Sequence, residues 1–145
     1  MASKDSPFPE IYSKLQSVFG PQHWWPADSP FEVIVGAILT QNTSWKNVEK
    51  AIENLKTVEF SARSLFEMHD EVLSHLIRPT GYFNVKTRRL KAFLGYFLEE
   101  YDASIEAMGQ VPLAQLRRGL LAVRGIGPET ADCILLYALG KPSFV

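Results

Sequence analysis

Apolar residues recur along most of this chain at intervals of three and four positions, and no sustained alternation with a period of two is present. The first spacing places apolar side chains on one face of an α-helix, whereas a period of two is typical of a half-buried strand. The pattern therefore predicts an all-α bundle of short helices, forming a single helical domain over 1–145. The predicted helices span 9–19, 31–40, 44–55, 61–68, 70–77, 84–101, 113–123 and 128–139.

The predicted helix over 31–40 differs from the others because it is apolar on nearly every side. A helix without a polar face normally lies at the centre of a bundle. Asp28 or Ser29 can cap its N-terminus, and Pro30 follows at a first-turn position where its missing N–H costs nothing. The next helix, over 44–55, is amphipathic and is expected to pack with one face on this central helix.

Composition restricts the class of protein. The chain has 145 residues, of which 46% are hydrophobic, which is enough for one domain with a core and excludes a disordered tail. Since Cys133 is the only cysteine, a Cys₄ zinc site or a four-cysteine iron–sulfur cluster cannot form within this chain. We expect Cys133 to point into helix packing and to be inert.

The charge and the hydropathy of the chain point to no membrane and give no general support for nucleic-acid binding. The longest apolar run, 33–39, is too short to cross a bilayer, and the first ten residues lack a hydrophobic signal core, so the expected location is the cytoplasm. The 15 basic and 16 acidic side chains leave a net charge of −1. Binding to DNA must therefore rest on local patches.

The most informative segment is LLAVRGIGPETADCILLYALG at 120–140. It predicts two helices joined by a turn in which Gly125 and Gly127 adopt backbone angles closed to other residues. With Pro128 at the first helical position, the N–H groups of the turn point outward and form an anion site, to which Thr130 adds a hydroxyl. The pattern L-x-x-V-x-G-I-G-x-x-T-A matches the helix-hairpin-helix motif, which holds DNA phosphate without reading sequence. A plain helical hairpin with a glycine turn is the alternative.

Three segments together resemble the endonuclease III superfamily of base-excision DNA glycosylases. They are the hairpin from Gly125 to Ala131, the segment FEVIVGAILTQNT at 31–43, which is similar to the family's central helix and glutamine-bearing turn, and RPTGYFNVKTRRL at 78–90. With HWWP at 23–26 included, the chain is most similar to the endonuclease III-like branch of 3-methyladenine DNA glycosylases. The resemblance covers roughly residues 24–145.

The resemblance implies a fold and an arrangement of domains. It places residues 23–145 in the six-helix barrel-type domain of helix-hairpin-helix DNA glycosylases, with the hairpin at 113–139. The N-terminal helix within 1–22 is assigned to a second lobe. The remaining helices of that lobe are expected after Val145, so the chain is expected to be C-terminally truncated and to expose apolar surface that those helices would cover.

Two departures from the family pattern bear on catalysis. Where bifunctional members have a lysine that attacks the sugar, this chain has Glu129, which cannot form a Schiff base. The family's essential aspartate is expected about two residues beyond Val145, so no catalytic residue is expected within the chain, and this portion alone is expected to be inactive. Asp132 and Asp28 are interpreted as structural acids, at a helix N-terminus and at a helix cap.

The resemblance places base-binding residues in two segments that contain all three tryptophans of the chain. Trp24, Trp25 and Pro26 precede the central helix, and Trp45 follows it. A purine alkylated at a ring nitrogen is cationic and is attracted to aromatic faces, so these residues are expected to form the pocket for a flipped base. The alternative is that the tryptophans are packing residues.

The DNA-contacting surface is expected to combine Gln41 with the hairpin. The resemblance assigns Gln41 to the turn that enters DNA and fills the gap left by the flipped nucleotide, for which an amide that donates and accepts is suited. The alternative is a polar residue at a helix C-terminus. A basic stretch over 78–92 and a second basic group at 117–124 add positive charge. The residues predicted to contact DNA are Gln41, Lys86, Arg124, Gly125, Ile126, Gly127 and Thr130.

Only the resemblance suggests a bound ion. In this superfamily the carbonyls of the hairpin can hold Na⁺ or K⁺ against a DNA phosphate, and the matching carbonyls here are those of Leu121, Val123 and Ile126. No other cofactor is expected in this chain. The three histidines at 23, 69 and 75 have no spacing typical of metal ligands or of a catalytic triad.

The sequence therefore predicts the N-terminal portion of a monomeric, monofunctional DNA glycosylase that acts on double-stranded DNA. The expected substrate is an alkylated purine such as 3-methyladenine. One alternative is a helix-hairpin-helix module that only binds DNA, although such a module needs no aromatic pocket. The other is a related glycosylase for mismatched or oxidised bases, for which the absence of a lysine at Glu129 argues against a bifunctional enzyme.

Overall fold

The computed structural model describes residues 6–144, and within that range the chain forms helices and turns and no strand. The expectations concerning the first five residues and the position after Val145 lie outside the described residues. The helices are α1 (Phe8–Phe19), α2 (Pro30–Leu39), α3 (Trp45–Leu55), α4 (Ala62–Glu67), α5 (Asp70–Leu76), α6 (Phe83–Tyr101), α7 (Ile105–Gln110), α8 (Leu113–Ala122) and α9 (Pro128–Cys133). A 3₁₀ turn covers Arg78–Thr80, and a π-helical turn over Ile134–Ala138 continues α9.

Helix α2 lies at the centre of the bundle, as its apolar pattern predicts. Every residue from Glu32 to Leu39 is buried. Ser29 is the N-cap, and its hydroxyl accepts a hydrogen bond from the N–H of Glu32, while the Glu32 carboxylate accepts one from the N–H of Asp28. This reciprocal arrangement satisfies two backbone donors and begins the helix at Pro30. Helices α3 and α6, α9 and the π-helical turn pack around α2.

Helix α6 is the longest helix, and it packs against α2, α4 and α5. It ends at Tyr101, where Asp102 and Ala103 adopt left-handed backbone angles. The short helix α7 that follows is not predicted from the sequence, and Met108 is its one buried residue, so it has no repeating apolar face. Ser104 caps it by accepting a hydrogen bond from the N–H of Ala107.

Helix α1 begins one residue before the predicted position, and no residue in it is buried. Its apolar face, which includes Ile11, Leu15 and Val18, remains 48–74% exposed. Exposed apolar surface is thus present, as expected. The assignment of residues 1–22 to a second lobe remains a prediction.

Two features are absent from the part of the chain that the structure describes. None of the helices is both long enough and apolar enough to span a bilayer. Among residues 6–144, no three His, Cys, Asp or Glu side chains come together in a way that could hold a metal ion. Cys133 is buried in helix packing, as predicted, and burial raises the pKa of its thiol.

Candidate nucleic-acid interface and aromatic cleft

The hairpin consists of α8, the turn over 123–127 and α9. Of the two glycines in this turn, only Gly125 is required by the backbone conformation. Gly125 has a φ of +91°, in the left-handed region, and a Cβ there would lie 2.2 Å from Cγ of Arg89. Gly127 has a φ of −91° with extended backbone, and a Cβ there would meet nothing within 4 Å. The prediction of special backbone angles is therefore correct for Gly125 and wrong for Gly127, whose Cβ position faces open space.

The backbone of the turn keeps donors available. The N–H of Ile126 donates to the carbonyl of Val123 at 3.1 Å, whereas the N–H groups of Gly125 and Gly127 have no hydrogen-bond acceptor among the residues that the structure describes. Pro128 is the first residue of α9, as predicted. Free N–H groups at a helix N-terminus favour an anion, because the helix dipole adds partial positive charge.

Gln41 lies beside the turn of the hairpin, although 84 residues separate it from Gly125. Its Nε2 donates to the carbonyl of Gly125 and to Oγ1 of Thr130, both at 3.0 Å. Its Oε1 accepts a hydrogen bond from Nη1 of Arg89 at 2.6 Å. The fold thus brings the predicted Gln41 turn and the predicted hairpin into one surface.

We call this concave surface the hairpin face. It has a volume of about 530 Å³ and is formed by the Gln41 turn, Arg89 and the first turn of α9. Asn42 ends the Gln41 turn in a left-handed conformation. The residues that line the hairpin face are Gln41, Asn42, Arg89, Gly125, Ile126, Gly127, Pro128, Glu129 and Thr130.

The other predicted DNA-contacting side chains are placed differently. Arg124 is exposed, so its guanidinium is free to reach a phosphate. Thr130 is only 7% exposed, and its oxygen accepts the hydrogen bond from Gln41. The hydroxyl expected at the anion site therefore supports Gln41. Ile126 is buried at 5% exposure, so its contribution to the surface is limited to its backbone.

Lys86 is a correction to the sequence-based prediction. Its side chain is 1% exposed, and its Nζ donates to the carbonyls of Leu39 at 2.9 Å and Thr80 at 2.7 Å. Burial lowers the pKa of Lys86 to about 8. An ammonium enclosed in this way joins the end of α2 to the 3₁₀ turn and does not reach a phosphate. Its position on the inner face of α6, four residues from Leu90, was the signal that could have revealed this.

Other members of the predicted basic stretches also have internal partners. Nζ of Lys91 contacts the carboxylate of Asp70 at 2.6 Å. Arg117 donates two hydrogen bonds to Asp132, at 2.8 and 3.1 Å. The guanidinium of Arg78 lies 5.7 Å from the ring centroid of Phe83. Positive charge near the hairpin turn therefore comes from a few residues rather than from whole stretches.

The hairpin carbonyls agree with the chemistry of a monovalent cation site. Among residues 6–144, no donor forms a hydrogen bond to the carbonyls of Leu121 or Ile126, while the carbonyl of Val123 accepts one from Ile126. Carbonyl oxygens are hard ligands of the kind that alkali and alkaline-earth cations prefer. Binding of Na⁺ or K⁺ at these three carbonyls remains a prediction.

Two of the three tryptophans converge beside α2. The ring centroids of Trp25 and Trp45 lie 5.4 Å apart with the rings nearly perpendicular, at 82°. Both rings lie over Gly36, where an added Cβ would be in ordinary van der Waals contact, at 3.5 Å, with Trp25 Nε1 and with Trp45. On its other side Trp25 contacts Tyr137, with centroids 5.3 Å apart. We call the cavity that these two tryptophans and Gly36 line, with a volume of about 200 Å³, the aromatic cleft.

Trp24 does not join the aromatic cleft. Its side chain is 75% exposed and borders a separate depression between α1 and the π-helical turn. The prediction that all three tryptophans converge is therefore wrong for Trp24 in this structure, because Trp25 packs on Trp45 whereas the adjacent Trp24 remains exposed to solvent. Pro26 does line the aromatic cleft.

Carboxylates surround the aromatic cleft. Glu32, Glu49 and Glu53 line it, together with one cation, Lys56. The carboxylate of Glu49 accepts a hydrogen bond from Nε1 of Trp45 at 3.1 Å and so holds that ring. Glu32 is 8% exposed and lies 2.8 Å from Nζ of Lys56. Three carboxylates against one ammonium make the cleft acidic.

The acids considered at the sequence level have structural partners. Asp132 is neutralised by Arg117 and accepts a hydrogen bond from the hydroxyl of Ser143 at 2.7 Å. The bond from Arg117 holds the pKa of Asp132 below its usual value. Asp28 lies 2.7 Å from Nζ of Lys56, and this contact raises the pKa of the lysine. Glu129 is exposed on the hairpin face.

Sequence reasoning missed three residues that shape these surfaces. Arg89 was only one cation in a basic stretch, Gly36 was an interruption in an apolar helix, and Tyr137 had no distinguishing pattern. A glycine in the middle of a buried helix is a usable signal, because it weakens the helix unless something packs closely against it. The contacts of Arg89 and Tyr137 span 36 and more residues and have no local signature.

Comparison with known proteins identifies the family. Residues 35–127 match the HhH-GPD superfamily of base excision DNA repair proteins. A Methanocaldococcus jannaschii protein named as a DNA repair glycosylase is 47% identical over 138 residues, which cover 94% of this chain and 63% of that protein. Endonuclease III of Haemophilus influenzae is 29% identical over 116 residues, which cover 80% of this chain and 51% of that enzyme.

A solved structure supports the same assignment. The 3-methyladenine DNA glycosylase of H. pylori bound to 1,N6-ethenoadenine is similar, with a TM-score of 0.76 and 35% sequence identity, over 91% of this chain and 65% of that one. The chain spans less than two thirds of the length of the M. jannaschii relative. The matched region, 35–127, contains the second half of α2, the Gln41 turn and the glycines of the hairpin. On this match and on the all-helical fold, the chain belongs to the HhH-GPD superfamily of base excision DNA repair proteins.

Proposed function

We propose that this chain forms the DNA-gripping and base-recognising part of a monofunctional DNA glycosylase that removes alkylated purines from double-stranded DNA. The observation that carries the proposal is the aromatic cleft, in which Trp25 and Trp45 meet over Gly36 among three carboxylates. Indole faces attract a flat cation, and nearby carboxylates add to that attraction. A purine alkylated at a ring nitrogen is a flat cation.

The hairpin face supplies binding to the duplex in this proposal. Free N–H groups at Gly125 and Gly127 hold a phosphate oxygen, and Arg124 adds charge beside them. Contacts of this kind position a duplex without reading its sequence. Gln41 enters the duplex and occupies the gap left by the flipped nucleotide. The M. jannaschii relative named as a DNA repair glycosylase and the H. pylori 3-methyladenine glycosylase support the proposal that the protein is a DNA glycosylase.

The proposed reaction is hydrolysis without strand cleavage. Glu129 stands on the hairpin face at the position of the family's lysine nucleophile, and a carboxylate cannot form a Schiff base with the sugar. We place the carboxylate that assists water on a segment after Val145, since Asp132 and Asp28 form ion pairs with Arg117 and Lys56. A bound Na⁺ or K⁺ at the hairpin carbonyls would add positive charge next to the phosphate.

The experiment that tests this proposal expresses the chain together with what its reading frame encodes beyond Val145. The product is incubated with duplexes that contain 3-methyladenine, 1,N6-ethenoadenine or an oxidised pyrimidine. We expect release of free 3-methyladenine, intact strands until alkali is added, and no release of the oxidised pyrimidine. Duplex binding without release of any base would replace the proposal with a non-catalytic DNA-binding module. Direct strand nicking would contradict the monofunctional mechanism.

A second measurement tests the charge of the aromatic cleft. Glu53 is an exposed carboxylate of the cleft, and no hydrogen bond or ion pair to it is present within residues 6–144. Glu53→Gln removes negative charge without disturbing a partner, so we expect excision of cationic 3-methyladenine to fall while excision of neutral 1,N6-ethenoadenine does not. Glu99→Gln, which changes a carboxylate outside the cleft, is the control. An equal loss for both bases would show that charge does not select the substrate.

A further inference from the structure

Arg89 connects three parts of the fold that are far apart in sequence. Its aliphatic stem covers the backbone of Gly125 so closely that a Cβ there would lie 2.2, 2.7 and 2.9 Å from its Cγ, Cδ and Cβ. Its guanidinium donates to Oε1 of Gln41 at 2.6 Å. Arg89 itself belongs to α6. One side chain thus contacts both the hairpin and the Gln41 turn.

This contact determines the orientation of the Gln41 amide. A guanidinium has only donors, so the atom of Gln41 that faces Arg89 must be the oxygen. The amide nitrogen is then directed to the carbonyl of Gly125 and to Thr130, both 3.0 Å away. All three bonds agree with a single orientation, and none of them comes from the residues next to Gln41 in sequence.

Arg89 has no competing partner. Within residues 6–144 no carboxylate forms an ion pair with Arg89, and its bond to Gln41 is its only side-chain hydrogen bond. The neighbouring cations differ: Lys86 is enclosed by carbonyls, and Lys91 is paired with Asp70. The half-buried guanidinium therefore borders the hairpin face with most of its donors uncommitted.

We propose that Arg89 is a positioning residue that holds Gln41 against the hairpin, so that the group entering the duplex and the group gripping the phosphate act as one rigid unit. The proposal rests on the function proposed above. It assigns a role to Arg89, which is not among the residues that the sequence predicts to contact DNA. A phosphate bound at the hairpin turn then presents Gln41 to the duplex at a fixed offset. Without Arg89, Gln41 keeps its place in the sequence but loses the bond that orients its amide.

The test compares binding to two duplexes that differ only at one site. One is undamaged, and the other carries a tetrahydrofuran abasic-site analogue, which leaves a gap for Gln41 to fill. The preference for the abasic duplex is the Kd for the undamaged duplex divided by the Kd for the abasic duplex. This ratio cancels the general attraction between the charges of protein and DNA, because both duplexes carry the same phosphates. We expect Arg89→Met to lower this ratio about tenfold, the usual effect of losing a hydrogen bond to a charged group. Arg89→Lys is expected to restore part of the preference.

Two variants and one measurement serve as controls for the loss of charge, for the dependence on Gln41 and for misfolding. Arg88→Met removes an exposed cation from the same helix and is expected to weaken binding to both duplexes alike, leaving the ratio unchanged. In a Gln41→Ala background, Arg89→Met is expected to lower the ratio no further, since the group it positions is absent. Thermal melting of each variant, followed by circular dichroism, establishes that it is folded.

The outcomes are distinct. A ratio that Arg89→Met leaves unchanged, or lowers equally with and without Gln41, overturns the proposal. A wild-type protein without any preference for the abasic duplex contradicts the assigned role of Gln41 and the function proposed above. The side-chain amide NMR signal of Gln41 is independent of DNA: it is expected to shift in Arg89→Met and not in Arg88→Met, and an unshifted signal overturns the positioning role whatever the protein's activity.

Discussion

The hairpin face and the aromatic cleft both adjoin α2, but different interactions set the geometry of each. Around Gln41, hydrogen bonds set the geometry: both ends of its amide are bonded, and free donors remain on the backbone of the turn and on Arg89. Around Gly36, ring packing sets the geometry, with Trp25 and Trp45 in contact and Trp25 Nε1 buried without a partner.

This difference indicates which part of the molecule can distinguish one base from another. Backbone donors recognise any phosphate, because every nucleotide has one. Rings and carboxylates recognise the shape and charge of a base. Substitutions at the phosphate-binding turn of the hairpin should therefore affect all duplexes, and substitutions in the aromatic cleft should affect some bases only.

The largest expected effect is at Trp45. Trp45→Ala removes one face of the aromatic cleft and is expected to lower single-turnover excision of 3-methyladenine about 100-fold, since stacking on one aromatic side chain is worth about 1–3 kcal/mol. Binding to undamaged duplex, measured by gel shift, should not change. The same substitution at Trp24, which lies outside the aromatic cleft, should have a much smaller effect. Equal losses at both positions would contradict the boundary of the cleft.

Gly125→Ala is expected to have the next largest effect. The substitution places a Cβ at a φ of +91° against the stem of Arg89, and a non-glycine residue in such a conformation costs about 1–3 kcal/mol. We expect a loss of about 2 kcal/mol in the free energy of unfolding, measured with urea. Gly127→Ala is the matched control and should leave this free energy nearly unchanged. A similar loss for both would show that the two glycines have the same role.

Gly127→Val tests the hairpin face without disturbing the fold. Its φ is ordinary and its Cβ position opens to solvent, so the added methyl groups meet only a bound phosphate. We expect about tenfold weaker binding to damaged and undamaged duplexes alike, equivalent to about 1.4 kcal/mol. A loss restricted to lesion-containing duplexes would contradict the assignment of this turn to phosphate binding.

A pH-dependent effect is expected at Lys86, which supports the end of α2 next to Gln41. Burial lowers its pKa from 10.5 to about 8 in the folded protein. Between these values the unfolded chain binds more protons than the folded one, so this group makes the free energy of unfolding rise with pH. The stability of the wild type relative to Lys86→Met should therefore increase from about pH 7 to about pH 10, by at most about 1.4 kcal/mol per pH unit.

The same measurement has a control and a clear contrary result. Lys46→Met removes an exposed lysine on α3 and accounts for the general loss of one positive charge. At pH 7, Lys86→Met should also be less stable by about 1–3 kcal/mol, since two buried carbonyls lose their donor. A stability difference that falls as pH rises would contradict the enclosed position of the ammonium.

The periodicity of apolar residues was sufficient to predict every described helix except α7, but not what each helix packs against. The predicted central helix is buried along its length because a helix without a polar face can lie nowhere else in water. The same periodicity in α1 predicts a helix correctly, yet its apolar face is unburied within the described residues. A pattern specifies which face is apolar and leaves open what covers it.

Three features of the site follow from the sequence because their causes are local. Pro128 at the start of α9, the left-handed turn at Gly125 and the N-cap before Pro30, predicted as Asp28 or Ser29 and found at Ser29, depend on neighbouring residues only. The similarity of these segments to known glycosylases identified the superfamily for the same reason, since the hairpin motif is contiguous. Glu129 in place of a lysine is also visible in the sequence alone.

Only the tertiary structure decided where the separate motifs meet and which charges remain free. It buried Lys86 against two carbonyls, left Trp24 outside the aromatic cleft and joined Gln41 to Arg89 across 48 residues. Burial and pairing depend on contacts between helices that are distant in sequence. The sequence of a basic stretch is the same whether a lysine in it faces water or backbone carbonyls. The sequence by itself determined the helices, the hairpin and the family. The packing of α2, α6 and the hairpin determined which side chains form the surface.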